Sequence, residues 1–183
     1  MKILKLPREA TVEDLYELDE KGELVNGEIV LMTPTGFLPH RAALNVTFHL
    51  RTLEAERAGY AIGDGAAFVV DLPNRKSFSP DAAWYTGEPT RGRFMQGAPA
   101  FAVEVRSEGD YGLRAEREMM AKRADYFAAG TQVVWDVDVL RDEVIRVYRA
   151  TEPDTPVIYH RGETAEAEPA VPGWRFVVEN LWL

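Results

Sequence analysis

The sequence predicts a mixed α/β (α+β) domain in which helices flank a mixed central sheet of four or five strands, and three observations predict it. The chain has 183 residues, 46% of them hydrophobic, which is enough for one real core. Two long segments repeat apolar residues at helical spacing, and several short runs of β-branched and aromatic residues lie between Gly and Pro breaks. There is no internal repeat and no dividing linker, so a single domain over residues 1–183 is expected.

Thr11 stands three residues before Asp14, a capping pattern that predicts a short helix from Thr11 to about Glu20. Asn26-Gly27 between Glu23–Val25 and Glu28–Leu31 predicts a hairpin, because both turn positions need positive φ. Ala43, Val46, Leu50 and Leu53 recur at helical spacing between Pro39 and Gly59, giving the first long helix. Strands are expected at Ala66–Leu72, Asp81–Tyr85 and Ala100–Arg106. A second helix follows from Tyr111 to Ala129, with Leu113, Met120, Ala124 and Phe127 expected inward and Gly130 as its stop. Strands at Gln132–Val137 and Val144–Tyr148 are joined by a polar turn, and the apolar end Trp174–Trp182 is expected to dock an edge strand.

Composition narrows the chemistry. No apolar run approaches the ~20 residues that span a bilayer and no secretory signal opens the chain, so a soluble, cytoplasmic protein is expected, without membrane contact. There is no cysteine, hence no disulfide, thiolate nucleophile or Cys-ligated metal. A net charge of −9 disfavours a protein that grips nucleic acid with its whole surface, yet it permits a local basic cleft. No P-loop or dinucleotide fingerprint is present, which argues against a nucleotide cofactor, and neither a G-x-S-x-G elbow nor metal-spaced histidines occur. Asp136, Asp138 and Asp142 read as a solvated turn, since they lack the glycine and terminal glutamate of a calcium loop.

The informative stretch is Ser79-Pro80-Asp81 followed by Val103-Glu104-Val105-Arg106. If the two strands pair antiparallel so that paired residue numbers sum to 185, Asp81 falls opposite Glu104, and Glu104 and Arg106 share a face. Two carboxylates meeting at a sheet end suit a magnesium ion, which needs only one or two of them and keeps water and phosphate oxygens. They equally suit a cross-strand ion pair with Arg106 or Arg75, and the spacing alone leaves both readings open. Arg75, Lys76, Arg91 and Arg93 flank these strands as a basic cluster that suits phosphate contacts, or else a solvated loop face.

Taken in order, several short motifs resemble the Uma-type family, bacterial endonucleases of the restriction-endonuclease-like PD-(D/E)XK superfamily. They are Tyr16-Glu17-Leu18, Val25-Asn26-Gly27-Glu28, Met32–Gly36 with His40, Ser79-Pro80-Asp81, Glu104–Ser107, Lys122–Tyr126, Ala129-Gly130 and Val134-Trp135. The resemblance spans about residues 15–150, leaving 151–183 as a C-terminal extension, and implies a restriction-endonuclease-like core. It implies Asp81 and Glu104 as ligands of Mg2+ (or Mn2+), with Glu28 completing the metal shell and His40 contacting phosphate or bound water. At the superfamily's lysine position stands Arg106, which can hold a phosphate but cannot take a proton from water. The family pattern assigns that role to Lys122 on the second helix, whose alternative is a helical pair with Glu118.

The expected function is therefore a metal-dependent endonuclease acting on DNA, with Arg106 and the 75–93 basic loops on the backbone and a homodimer expected by analogy. Two alternatives accompany it. One is a catalytically silent nuclease-like domain that binds nucleic acid or a protein partner, motivated by the net charge and by Arg106; the other is an assembly module using Trp174–Trp182.

Overall fold

The structure, a computed structural model, describes residues 2–183. The N-terminal part comprises β1 (Lys2–Leu4), α1 (Val12–Tyr16), β2 (Gly22–Val25), β3 (Glu28–Leu31) and α2 (Phe37–Arg51). Then come β4 (Tyr60–Gly63), β5 (Phe68–Val69), β6 (Ser77–Phe78), β7 (Ala82–Tyr85), β8 (Met95–Gln96), β9 (Phe101–Val105) and α3 (Leu113–Ala128). The rest is β10 (Val133–Asp138), β11 (Val144–Arg149), β12 (Glu152–His160), β13 (Thr164–Glu166), β14 (Arg175–Val177) and a 3-10 turn at Val178–Trp182.

Six strands form the main sheet in the order β12-β11-β10-β9-β7-β4. Among the described residues of this sheet only the β9–β10 pair is parallel, and α3 makes the crossover between those strands. In β7 and β9 the pairs Ala82–Val103, Ala83–Ala102 and Trp84–Phe101 realise the expected register. Alternation then divides β9 between two cores. Phe101, Val103 and Val105 join Val46 and Leu50 of α2 on one face, whereas Ala102 joins Phe68, Phe78, Tyr85 and Tyr126 on the other.

The Asn26-Gly27 turn forms as the residue types require, with φ of 51° and 72°. It joins β2 to β3, and Leu24, Ile29 and Leu31 close a smaller core with Leu15 of α1. Helix α1 begins with the expected Thr11/Asp14 capping box but ends at Tyr16, because the chain turns there and sends Leu18 into this cluster. Likewise α2 stops at Arg51, seven residues before Ala58, in a turn that runs up to Gly59.

Two other expectations are corrected. Within the segment Trp174–Trp182, β14 pairs with β13 in a separate two-stranded sheet and not with an edge of the main sheet, while Trp174, Phe176, Val178 and Leu181 are buried in the larger core, where the final turn packs on α2. On α3, Leu113 is 80% exposed and Met120 50%, and Ala124 is exposed too, so the apolar stripe does not define the inward face. Aromatic and charged groups dock this helix instead: Tyr126 stacks on Phe78, the Arg123 guanidinium lies 3.6 Å over the Tyr148 ring, and Glu116 pairs with Arg106. Among the described residues no helix is long and apolar enough to cross a membrane.

Candidate active site

Asp81 lies one residue before β7 and, by the register of that pair, opposite Glu104 of β9, on the face covered by α3. Its backbone N–H donates to the Val103 carbonyl at 3.0 Å, and its Oδ2 accepts the Val105 N–H at 2.7 Å, so the side chain is fixed where the strand opens. Both acids reach solvent, with side-chain exposures of 20% for Asp81 and 22% for Glu104.

Helix α3 brings Lys122 and Tyr126, one turn apart, to Glu104. The Lys122 ammonium donates to Glu104 Oε2 at 2.7 Å, and the Tyr126 hydroxyl donates to Oε1 at 2.7 Å. Lys122 does not pair with Glu118, which is taken by Arg114. Neither Arg106 nor Arg75 neutralises Asp81 or Glu104, so the cross-strand ion pair that the spacing allowed is not formed.

The sequence did not single out Glu23. It sits in β2 with a side chain only 4% exposed, and Lys122 Nζ lies 2.9 Å from its Oε1. The same oxygen accepts the Ser79 N–H at 2.8 Å, while Oε2 pairs with Arg75 Nη1 at 2.6 Å. Arg75 also donates through Nε to Asp125 Oδ2 at 2.8 Å, and Asn74 donates to Asp125 Oδ1 at 2.9 Å. Lys21 and Asp64 were missed as well: they form an ion pair at the mouth, with Lys21 Nζ 3.7 Å from Asp81 Oδ1. A charged residue in the middle of a two-stranded hairpin normally faces water, so only the assembled fold reveals Glu23.

Electrostatics follow from this packing. Burial first of all pushes the Glu104 carboxyl up to about 7; Lys122 opposes the rise, and the charges on Asp81 and Glu23 add to it. Burial likewise raises Asp81 against the pull of Lys21 and the Val105 N–H. Lys122 moves the other way from what burial alone would do, because two carboxylates hold its ammonium charged above the ordinary lysine range. Glu23 is held below the usual carboxylate range, since Lys122 and Arg75 outweigh its burial. With all five carboxylates ionised (Glu23, Asp64, Asp81, Glu104 and Asp125), the three cations Lys21, Arg75 and Lys122 leave an excess of two negative charges, an unfavourable balance that the raised Asp81 and Glu104 reflect. That excess, beside two solvent-reaching acids of raised pKa, fits a divalent cation. Among the described residues no group of three or more His, Asp or Glu is arranged to hold a metal ion, so protein oxygens here would supply only part of a coordination shell.

The remaining sequence candidates fall elsewhere. Arg106 is not on the surface: its guanidinium forks onto Asp136 through Nε and Nη2, both at 2.7 Å, and reaches Glu116, because a buried carboxylate at that position demands a partner. Arg75 is buried for the corresponding reason, between Glu23 and Asp125. Neither side chain is presented to a nucleic-acid backbone. Lys76 pairs with Asp71 on the surface, Arg93 lies 4.3 Å over the Tyr16 ring with Glu13 nearby, and Arg91 is exposed. His40 is exposed in the first turn of α2, and Glu28 pairs with Lys5 at 3.1 Å; among the described residues no hydrogen bond or ion pair joins either to Asp81 or Glu104. The solvated reading of Asp136 and Asp138 is corrected too, as both are buried, with Asp138 Oδ1 accepting from the Tyr111 hydroxyl at 2.7 Å and from two backbone N–H groups.

The family model of Uma2, described as "Putative restriction endonuclease", matches residues 10–179. Among solved structures, the crystal structure of a protein titled a putative nuclease belonging to DUF820, from Anabaena variabilis, superposes with a TM-score of 0.73. The superposition covers 94% of this chain and 97% of that one at 14% sequence identity, a likeness of fold that agrees with the mixed α/β class predicted. A search of curated proteins found no match.

Proposed function

Since the chain belongs to the Uma2 family, we propose that it is a metal-dependent endonuclease that hydrolyses phosphodiester bonds in DNA. The observation that supports this most is the register that sets Asp81 against Glu104 at a solvent-reaching sheet end, with the Lys122 ammonium 2.7 Å from Glu104. Asp81 and Glu104 would hold Mg2+ or Mn2+, which when bound lowers the pKa of a water and screens the phosphate. Lys122 acts as a fixed positive charge that orients water and phosphate oxygens. Its two carboxylate partners hold the ammonium charged above the ordinary lysine range, which favours this role over that of a base. Tyr126 fixes the Glu104 carboxylate through Oε1.

Arg106 and Arg75 serve the scaffold in this reading, and of the basic candidates Lys76, Arg91 and Arg93 are those on the surface where a phosphate backbone could meet them. The chain works as one unit and, because both strands of a duplex must be cut, as a homodimer. Sedimentation gives the mass that checks the dimer.

Nicking of supercoiled plasmid with Mg2+ or Mn2+ tests the function. Wild type nicks, and D81N loses at least about 100-fold in rate. Equal nicking by the two proteins would refute the assignment.

A further inference from the structure

We propose that Glu23 is a positioning residue of this site, acting through Lys122 by clamping its ammonium against Glu104. The inference rests on the nuclease reading and extends it. A lysine side chain is a flexible four-carbon stem, and a single ion pair to a solvent-reaching carboxylate leaves its end free to swing. Here the ammonium is caught between Glu104 on the sheet and Glu23 on the hairpin, at 2.7 and 2.9 Å. One N–H donor is committed to Glu104 Oε2 by a hydrogen bond, the ion pair with Glu23 Oε1 fixes the ammonium from the other side, and donor capacity remains for an oxygen of substrate or water.

Glu23 suits this task because it cannot move. Its Oε1 is also held by the Ser79 N–H and its Oε2 by Arg75. Arg75 in turn binds Asp125, which stands on α3 three residues after Lys122. The contacts form a closed circuit: from α3 through Lys122 to the hairpin, then through Arg75 and Asp125 back to α3. Structural cohesion needs only the Arg75 half of that circuit. The Lys122 half places a charge beside Glu104.

The test compares E23Q with wild type in three measurements. First, in plasmid nicking, kcat falls about 10- to 100-fold while KM changes less than about threefold, as expected when an oriented group loses its geometry. Second, in a K122M background E23Q costs less than about twofold more, because a residue acting through Lys122 has nothing left to position. Third, competitive acetylation read by mass spectrometry shows Lys122 labelled faster in E23Q, relative to Lys21 and Lys76. A merely structural role would instead raise labelling of all three together.

An E23Q loss of equal size with and without Lys122, or unchanged relative labelling of Lys122, overturns the proposal. Should E23Q be too unstable to assay, E23D carries the same three measurements, since its shorter carboxylate cannot reach Lys122 and Arg75 at once. If wild type itself cuts nothing, the nuclease reading fails and the catalytic role of Glu23 fails with it. If wild type cuts but Lys122 labels alike in both proteins, only the clamp fails.

Discussion

Removing the Arg106 guanidinium is the perturbation whose size can be worked most directly from the structure. Arg106 ties β9 to β10 through Asp136, with both side chains 6% exposed or less, whereas its other partner, Glu116, is 49% exposed. An exposed pair contributes at most about 1 kcal/mol, so the Asp136 arm dominates. Arg106 is the one ion-pair partner of Asp136 among the described residues, and stripping a buried carboxylate of such a partner costs about 3–5 kcal/mol. R106M should therefore lower the unfolding free energy by about that amount. For a chain of 183 residues the unfolding entropy is about 0.4 kcal/mol/K, so a 4 kcal/mol loss shifts Tm down by about 10 °C.

R106K keeps the positive charge but only one arm of the fork and should lose about half as much. Urea unfolding followed by tryptophan fluorescence reads these values, and D136N with R106M/D136N completes a double-mutant cycle. A coupling of about 2 kcal/mol or more is expected between the two sites. An R106M loss below about 1 kcal/mol, or strictly additive mutants, would refute the reasoning and return Arg106 to the surface role that its sequence position suggests.

Three further outcomes are expected. G59A should lower stability by about 2 kcal/mol or more in thermal melts, because Gly59 has φ of 147° and an added Cβ would lie 2.5–2.6 Å from the Trp84 ring. Y126F leaves Glu104 Oε1 without its 2.7 Å donor and should cost about 1.5–3 kcal/mol by urea unfolding at pH 8, with the loss shrinking as the Glu104 carboxyl protonates below about 7. Asp138 is buried, which opposes ionisation, but the Tyr111 hydroxyl and the Arg141 and Leu140 N–H groups outweigh that and hold its pKa below 3.8. Its stabilising contribution is thus complete above the unfolded value of 3.8 and is lost as pH falls through the lower folded value. Y111F should accordingly narrow the gap in urea midpoint between pH 7 and pH 3; a gap as wide as that of wild type would count against it.

What the sequence made legible was local chemistry and strand parity. Asn26-Gly27 specified its turn, and the spacing of Asp81 and Glu104 carried their register, because an antiparallel pair has only one arithmetic once its loop is fixed. The inward face of α3 was not legible, since apolar periodicity assumes an apolar interior and this helix docks through Tyr126, Arg123 and Glu116. For the same reason Glu23 was passed over and Arg106 misplaced: burial of a charge depends on a partner far away in sequence, 99 residues from Glu23 to Lys122 and 30 from Arg106 to Asp136. Strand β12 went unseen because Pro153 and Pro156 punctuate it.

Those prolines have a consequence of their own. Strand β12 is the outermost ribbon of the main sheet and the longest, nine residues with Val157 and Ile158 more than 40% exposed, a shape that invites a stray strand to zip on. Each proline deletes one main-chain donor, and the acids Glu152 and Asp154 interleave with them. The strand therefore offers fewer donors and more negative charge at its Glu152 end than its length suggests, which makes that end a poorer template for an added ribbon.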